Sequence, residues 1–195
     1  MNICVYGASS NAIDKEYILA GEKLGEEMAK RGHTLIFGAG ASGLMGAVAR
    51  GVTKGGGKTV GIAPLFFSAD GILYEQCTEL IRTYNMRERK KILEELADAF
   101  IMTPGGIGTF DEFFEILTLK QLARHNKALA ILNTKGYYDP LDKLLKDTAK
   151  GGFMNENSLS LYKMVESPTE ALDYIESYSP KDFDIAHMKH LGISR

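Results

Sequence analysis

Residues 98–115, DAFIMTPGGIGTFDEFFE, run from an apolar segment through a glycine-rich loop into an acid-bearing amphipathic segment. Asp98–Thr103 is apolar on successive residues rather than on alternate ones. That pattern belongs to a strand covered on both faces, as in a parallel sheet. Gly105, Gly106 and Gly108 then allow a tight turn and a close backbone approach. The segment from Thr109 to His125 carries helical periodicity. A buried strand, a glycine turn and a helix form the repeating unit of an α/β fold.

The same alternation extends in both directions. Buried strands are expected at Asn2–Gly7, His33–Gly38, Lys58–Ala63, Thr78–Thr83, Ala128–Asn133 and Leu161–Val165. Helices are expected at Asp14–Arg31, Gly43–Thr53, Met86–Ala97, Pro140–Lys150 and from Ser167 to Tyr178. Ser167 and Glu170 form a capping box for the last helix, with Pro168 at its first position. The expected architecture is a three-layer α/β domain over residues 1–178, a parallel sheet with helices on both faces. Residues 179–195 follow as a C-terminal tail, exposed or docked on a partner. His187 and His190 stand three apart in it without a third ligand nearby, so the tail reads as solvated rather than metal-binding.

Composition narrows the function. The chain has 195 residues and a formal net charge of −2, which gives no basic bias toward nucleic acid or an anionic membrane. No signal peptide opens it, and no run of about 18 apolar residues crosses it. Cys4 and Cys77 make no metal-ligand spacing and read as reduced thiols in a cytoplasmic protein. Glycine is the outlier, with 21 residues against about 14 at the usual ~7%. Much of the excess lies after three expected strands, in GASSN, GAGASGLMG and PGGIGTFDE. Ligands of such sheets bind at the carboxyl ends of the strands, so these loops mark a site.

Two glycine motifs mislead. Gly38-Ala-Gly40-Ala-Ser-Gly43 is a literal dinucleotide fingerprint, but it follows the second strand. No acid lies between Arg50 and Ser68 to take a ribose hydroxyl. Its glycines serve close packing or the wall of another nucleotide site. Gly55–Thr59, GGGKT, imitates the end of a P-loop, yet it leads from a helix into a strand, and Val52 stands where the first glycine belongs.

The fifth loop is different. Gly105, Gly106, Gly108 and Thr109 at a helix start form a phosphate cradle of mononucleotide size. The acids Asp111, Glu112 and Glu115 follow at once. Spacing leaves two readings: Thr109 and Glu112 as a capping box, with acids in the first turn, or a carboxylate aimed at the sugar carrying the phosphate. Arg87, Arg89 and Lys90 open the preceding helix, where the dipole disfavours cations. They read either as a solvated patch or as charge balance for Glu112 and a phosphate.

PGGIGTFDE and MRERK together match the paired signatures P-G-G-x-G-T-x-x-E and M-x-x-R-K, and VYGASS and GAGASGLMGAVA match two further segments, collinear from Ile3 to Tyr138. The chain thereby resembles the LOG ("Lonely guy") family of cytokinin-activating phosphoribohydrolases, also described as possible lysine decarboxylases. The resemblance implies a Rossmann-like fold, a homodimer, and hydrolysis of the N-glycosidic bond of nucleoside 5′-monophosphates. It implies Arg89 and Glu112 as the catalytic pair. It places phosphate on Gly105, Gly106, Gly108 and Thr109, with Ser9 and Ser10. It counts Gly43, Met86, Lys90, Asp111 and Thr118 among the substrate-binding residues. It calls for no cofactor and no metal; the partner is a small nucleotide, AMP or an N6-modified cytokinin nucleotide.

Three departures stand out. Ala39 interrupts a triple glycine, and one added methyl should be tolerated. Gly7-Ala8 replaces Cys-Gly. The loop after the third strand departs from the family pattern, with Asp70 as the loose counterpart of a substrate-contacting acid. A non-catalytic nucleotide sensor would use the same cradle. A pyridoxal enzyme would need a reactive lysine, and Lys90 is the only one close to the glycine loops.

Overall fold

The structure, a computed structural model, describes residues 1–67 and 71–180. Asp70, His187 and His190 lie outside the described residues, as does the tail beyond Pro180. The elements in chain order are β1 (Asn2–Tyr6), α1 (Lys15–Lys30), β2 (Thr34–Phe37), α2 (Gly43–Lys54), β3 (Lys58–Pro64), β4 (Glu79–Thr83), α3 (Met86–Leu96), β5 (Ala99–Met102), α4 (Ile107–Gln121), β6 (Ala128–Leu132), α5 (Asp139–Lys150), β7 (Lys163–Val165) and α6 (Pro168–Ser177).

The strands form one seven-stranded sheet in the order β4-β3-β2-β1-β5-β6-β7. Every pairing is parallel. The two-residue period of the strands divides the core in two. Ile3, Val5, Leu35, Phe37, Ala99 and Ile101 face one side, against Leu24 and Met28 of α1, Val48 and Val52 of α2, and Leu172 of α6. Cys4, Tyr6, Ile36, Ile62, Phe100 and Met102 face the other, against Leu93 of α3, Phe113 and Ile116 of α4, and Leu145 of α5. This is the three-layer α/β architecture expected from the alternation; the central strands β1, β5 and β6 are buried along their length because both their faces are covered, while the edge strand β4 keeps Glu79 and Leu80 exposed.

Sheet order positions the site. The chain winds outward from β1 through β2 and β3 to β4, then crosses back under α3 to lay β5 on the other side of β1. The loops leaving β1 and β5 therefore diverge to opposite faces. The crevice between them is a topological switch point, where open α/β sheets bind ligands. The loops are stitched at their bases: Thr103 N–H donates to Tyr6 O at 2.8 Å, and Ala8 N–H donates to Pro104 O at 3.0 Å.

Several element boundaries moved. The capping box at α6 is present, with Glu170 N–H donating to Ser167 Oγ and Glu166 N–H donating to the Glu170 carboxylate. At α4 the expected box does not form. The helix starts at Ile107 behind Gly106, so Thr109 already lies inside it and no acid falls in the first turn. Instead an unforeseen cap opens α3: Glu88 N–H donates to Asn85 Oδ1 at 2.9 Å, and Tyr84 N–H donates to the Glu88 carboxylate at 2.7 Å. The last strand begins at Lys163 rather than Leu161.

Helices α1 and α2 approach closely because Gly21, Gly25 and Gly51 lie on their facing sides. A Cβ at Gly25 would strike the backbone of Val48 and Val52, which has no flexible end to move aside. Gly25→Ala is expected to lower the urea midpoint. The ~1 kcal/mol gained in helix propensity is outweighed by overpacking, which costs about 1–3 kcal/mol and here falls on rigid backbone.

Candidate active site

The switch-point crevice is a cleft of about 650 Å³, within the ~300–1,000 Å³ range of small-ligand sites. Ala8, Ser9 and Ser10 of the first loop form one side, and Gly106, Ile107, Gly108 and Thr109 of the fifth loop form another. Gly38 and Gly40 of the second loop contribute a third side. The false dinucleotide fingerprint is thus part of the wall of another site. Met45, Phe67, Ile72, Leu73 and Met86 make the remaining surface apolar.

The floor holds Arg89 and Glu112. Arg89 is 4% exposed and Glu112 8%. Arg89 Nη1 donates to Glu112 Oε1 at 2.6 Å, and Arg89 Nε donates to Ile62 O at 3.0 Å. The short, charge-assisted bond fixes both side chains. Burial pushes the Glu112 carboxyl above the ordinary carboxylate range, and the adjacent guanidinium pulls it part of the way back. Space for the arginine comes from Gly38, where a Cβ would fall on the guanidinium.

The start of α4 is open. Gly106 is its N-cap, and no side chain among the described residues caps it. A Cβ added at Gly106 or Gly108 would meet nothing within 4 Å. Packing within the chain therefore does not require these glycines, and their bare backbone faces the cleft. Glu112 follows Gly108 by four residues, roughly 6 Å along the helix axis, a span that a ribose with its 5′ carbon can bridge.

Other expected residues are placed elsewhere. Gly105 is buried behind the loop, against Thr109 and Ala8. Gly43 lies beneath the first loop at φ +62°, its N–H engaged by Asn11 Oδ1 at 2.8 Å. Lys90, Asp111 and Thr118 are not brought into the cleft; they line a neighbouring groove along the outer side of α4. Lys90 Nζ pairs with Glu115 at 2.7 Å and Asp111 at 3.1 Å. The basic start of α3 is therefore divided: Arg89 is spent on Glu112, Lys90 on the outer acids, and Arg87 is exposed. Ala39 is accommodated at φ +60°, its methyl against Gly61, where a Cβ would crowd it.

Sequence reasoning missed the apolar wall of Ile72 and Leu73. It is held in place when Ala41 N–H donates to Ile72 O and Tyr74 N–H donates to Ala39 O. It also missed the role of Gly38, although a glycine at a strand end beside a buried arginine was the available signal.

The family described as "Possible lysine decarboxylase" matches residues 45–175. Cytokinin riboside 5′-monophosphate phosphoribohydrolase LOG of Oryza sativa subsp. japonica is 34% identical over 179 residues, covering 92% of this chain and 74% of the relative. LOG2 of Arabidopsis thaliana is 34% identical over 182 residues, covering 93% and 85%. The chain belongs to the LOG family. Among solved structures, the target TM1055 superposes with a TM-score of 0.71 at 23% identity, covering 91% of this chain and 99% of that one. The molybdenum cofactor binding protein of Rippkaea orientalis gives 0.69 at 23% identity, covering 90% and 95%. These two likenesses show that the fold recurs.

A titration of the carboxyl carbons by NMR checks the electrostatics. Glu112 is expected to ionise above the ordinary carboxylate range. In Arg89→Met its midpoint should move higher still, because the guanidinium's lowering influence is gone while burial remains. A midpoint that moves down in that variant would contradict the assignment.

Proposed function

We propose that this cleft hydrolyses the N-glycosidic bond of purine nucleoside 5′-monophosphates, releasing the free base and ribose 5-phosphate. The carrying observation is that an ionisable buried carboxylate and an uncapped glycine helix start line one cleft, a ribose apart. The 5′-phosphate sits on the amides from Gly106 to Thr109, with help from Ser9 and Ser10, which line the same cleft. The ribose lies over Glu112, and the base points toward the apolar surface of Ile72, Leu73 and Met86. That surface and the names of the plant relatives both favour an N6-modified cytokinin nucleotide, with plain AMP as the simpler substrate of the same site.

The chemistry parallels glycoside hydrolysis. As the C1′–N bond stretches, positive charge develops on the ribose, and the Glu112 carboxylate stabilises it. Glu112 accepts the proton of the attacking water while a water oxygen–C1′ bond forms, and the bonding electrons leave with the base. Arg89 holds Glu112 oriented and favours its ionised form against burial. Lys90, Asp111 and Thr118 enter this reading from outside the cleft, by balancing charge along the outer side of α4. That same side presents Ile107, Phe110, Phe114 and Leu119, and it is the face we assign to a homodimer.

The residues do not fit a pyridoxal decarboxylase. Lys90 is held cationic by Glu115, with Asp111 adding to the effect, which raises its ammonium above the usual lysine range and opposes Schiff-base formation. Burial lowers the ammonium of Lys120 to about 8, but Lys120 lies eleven residues beyond Thr109, ~16 Å along α4, against the Tyr178 ring.

Incubation with AMP and with N6-isopentenyl AMP should release free base and ribose 5-phosphate, followed by chromatography. Glu112→Gln should lower kcat at least ~100-fold with little change in binding of ribose 5-phosphate. Full turnover in that variant would sink the mechanism. Absence of base release from any nucleoside monophosphate that binds would leave a nucleotide sensor. Sedimentation should show two chains per particle, and Phe114→Glu on the outer face of α4 should shift it toward one.

A further inference from the structure

A loop that aims amides at an anion must aim its carbonyls elsewhere, because a carbonyl oxygen repels the ligand it would face. In the fifth loop each of these carbonyls has a donor. Tyr138 Oη donates to Thr103 O at 2.8 Å. Ala8 N–H donates to Pro104 O at 3.0 Å. Tyr137 Oη donates to Gly105 O at 2.8 Å. Phe110 N–H donates to Gly106 O at 3.0 Å, which is the first turn of α4. Two of the four donors are thus hydroxyls of consecutive tyrosines, which come from the connection between β6 and α5, beside the fifth loop but outside its chain segment.

The two tyrosines differ in kind. Tyr138 is 1% exposed and packs edge-on against Phe110 in the core. Its hydroxyl and its ring both support the fold. Tyr137 is 40% exposed. Its ring rests edge-on against Tyr138 and Tyr17, at 4.8 and 6.0 Å between centroids, while its hydroxyl reaches the carbonyl of a loop glycine. The peptide that carries this oxygen joins Gly105 to Gly106, so no Cβ on either side restricts its orientation.

We infer that Tyr137 is a positioning residue for the phosphate loop: its hydroxyl holds the Gly105 carbonyl away from the cleft, so that the following amides face the ligand's phosphate. The inference rests on the phosphate assignment made above and does not require turnover. It is specific to the phosphate end of the ligand, since nothing in the contact touches the ribose or base side of the cleft.

Tyr137→Phe removes the hydroxyl and keeps the ring. Calorimetry with AMP, ribose 5-phosphate and adenosine reads the effect directly. Affinity for AMP and for ribose 5-phosphate should fall about five- to tenfold, the scale of one neutral hydrogen bond, while adenosine affinity stays within twofold. The melting temperature should remain within a few degrees. With turnover, KM for the nucleoside monophosphate should rise while kcat changes less than twofold. Tyr17→Phe, which keeps the ring contact with Tyr137 and leaves the Tyr137 hydroxyl on Gly105 in place, should match the parent protein. Unchanged AMP affinity in Tyr137→Phe, or equal loss for AMP and adenosine, would overturn the inference. A parent protein that binds neither phosphate ligand would overturn it together with the phosphate site. A parent that binds AMP without releasing base would refute the hydrolase reading alone, and the calorimetric comparison would still decide the role of Tyr137.

Discussion

The buried ion pair between Arg89 and Glu112 is the constraint around which the cleft is arranged. Desolvating two charges is expensive, and the pair is tolerated only with short geometry and further hydrogen bonds. Here the guanidinium gives one nitrogen to Glu112 and another to the Ile62 carbonyl. The contact joins α3, α4 and the end of β3 at one point. It also demands a glycine at position 38. Removing either partner leaves an uncompensated charge beneath the cleft, so geometry and electrostatics stand or fall together.

The pair can form only because of the sheet order. β5 returns to the centre beside β1, and α3 makes the crossing from the edge strand β4. That crossing carries Arg89 beneath the loop that begins α4. The same order makes the loops after β1 and β5 part to opposite faces. One topological event thus opens the cleft and furnishes its floor.

The apparent conflict between an anion cradle and adjacent acids is resolved by direction. Helix α4 begins three residues earlier than the Thr109–Glu112 spacing implies, with Gly106 rather than Thr109 as its N-cap. The cradle keeps its uncapped amides, and the acids fall in the second turn and beyond, where helical rotation separates them. Glu112 turns inward to Arg89. Asp111 and Glu115 turn outward to Lys90. Three carboxylates that look alike in the sequence occupy two different environments.

The sequence by itself determined the α/β class, the alternation of strands and helices, and the importance of the glycine loops. Those features are local: uninterrupted apolar runs mark doubly covered strands, and glycine excess marks close backbone approach. Arg89 and Glu112 were legible only through paired motifs, since 23 positions separate them. Tertiary structure alone decided that Lys90, Asp111 and Thr118 lie outside the cleft, because an outward or inward direction depends on where a helix begins. It alone revealed Ile72 and Leu73 as a wall and the hydrogen bond from Tyr137 to the Gly105 carbonyl. Such contacts are made between segments distant in the chain, and no periodicity in either segment records the other.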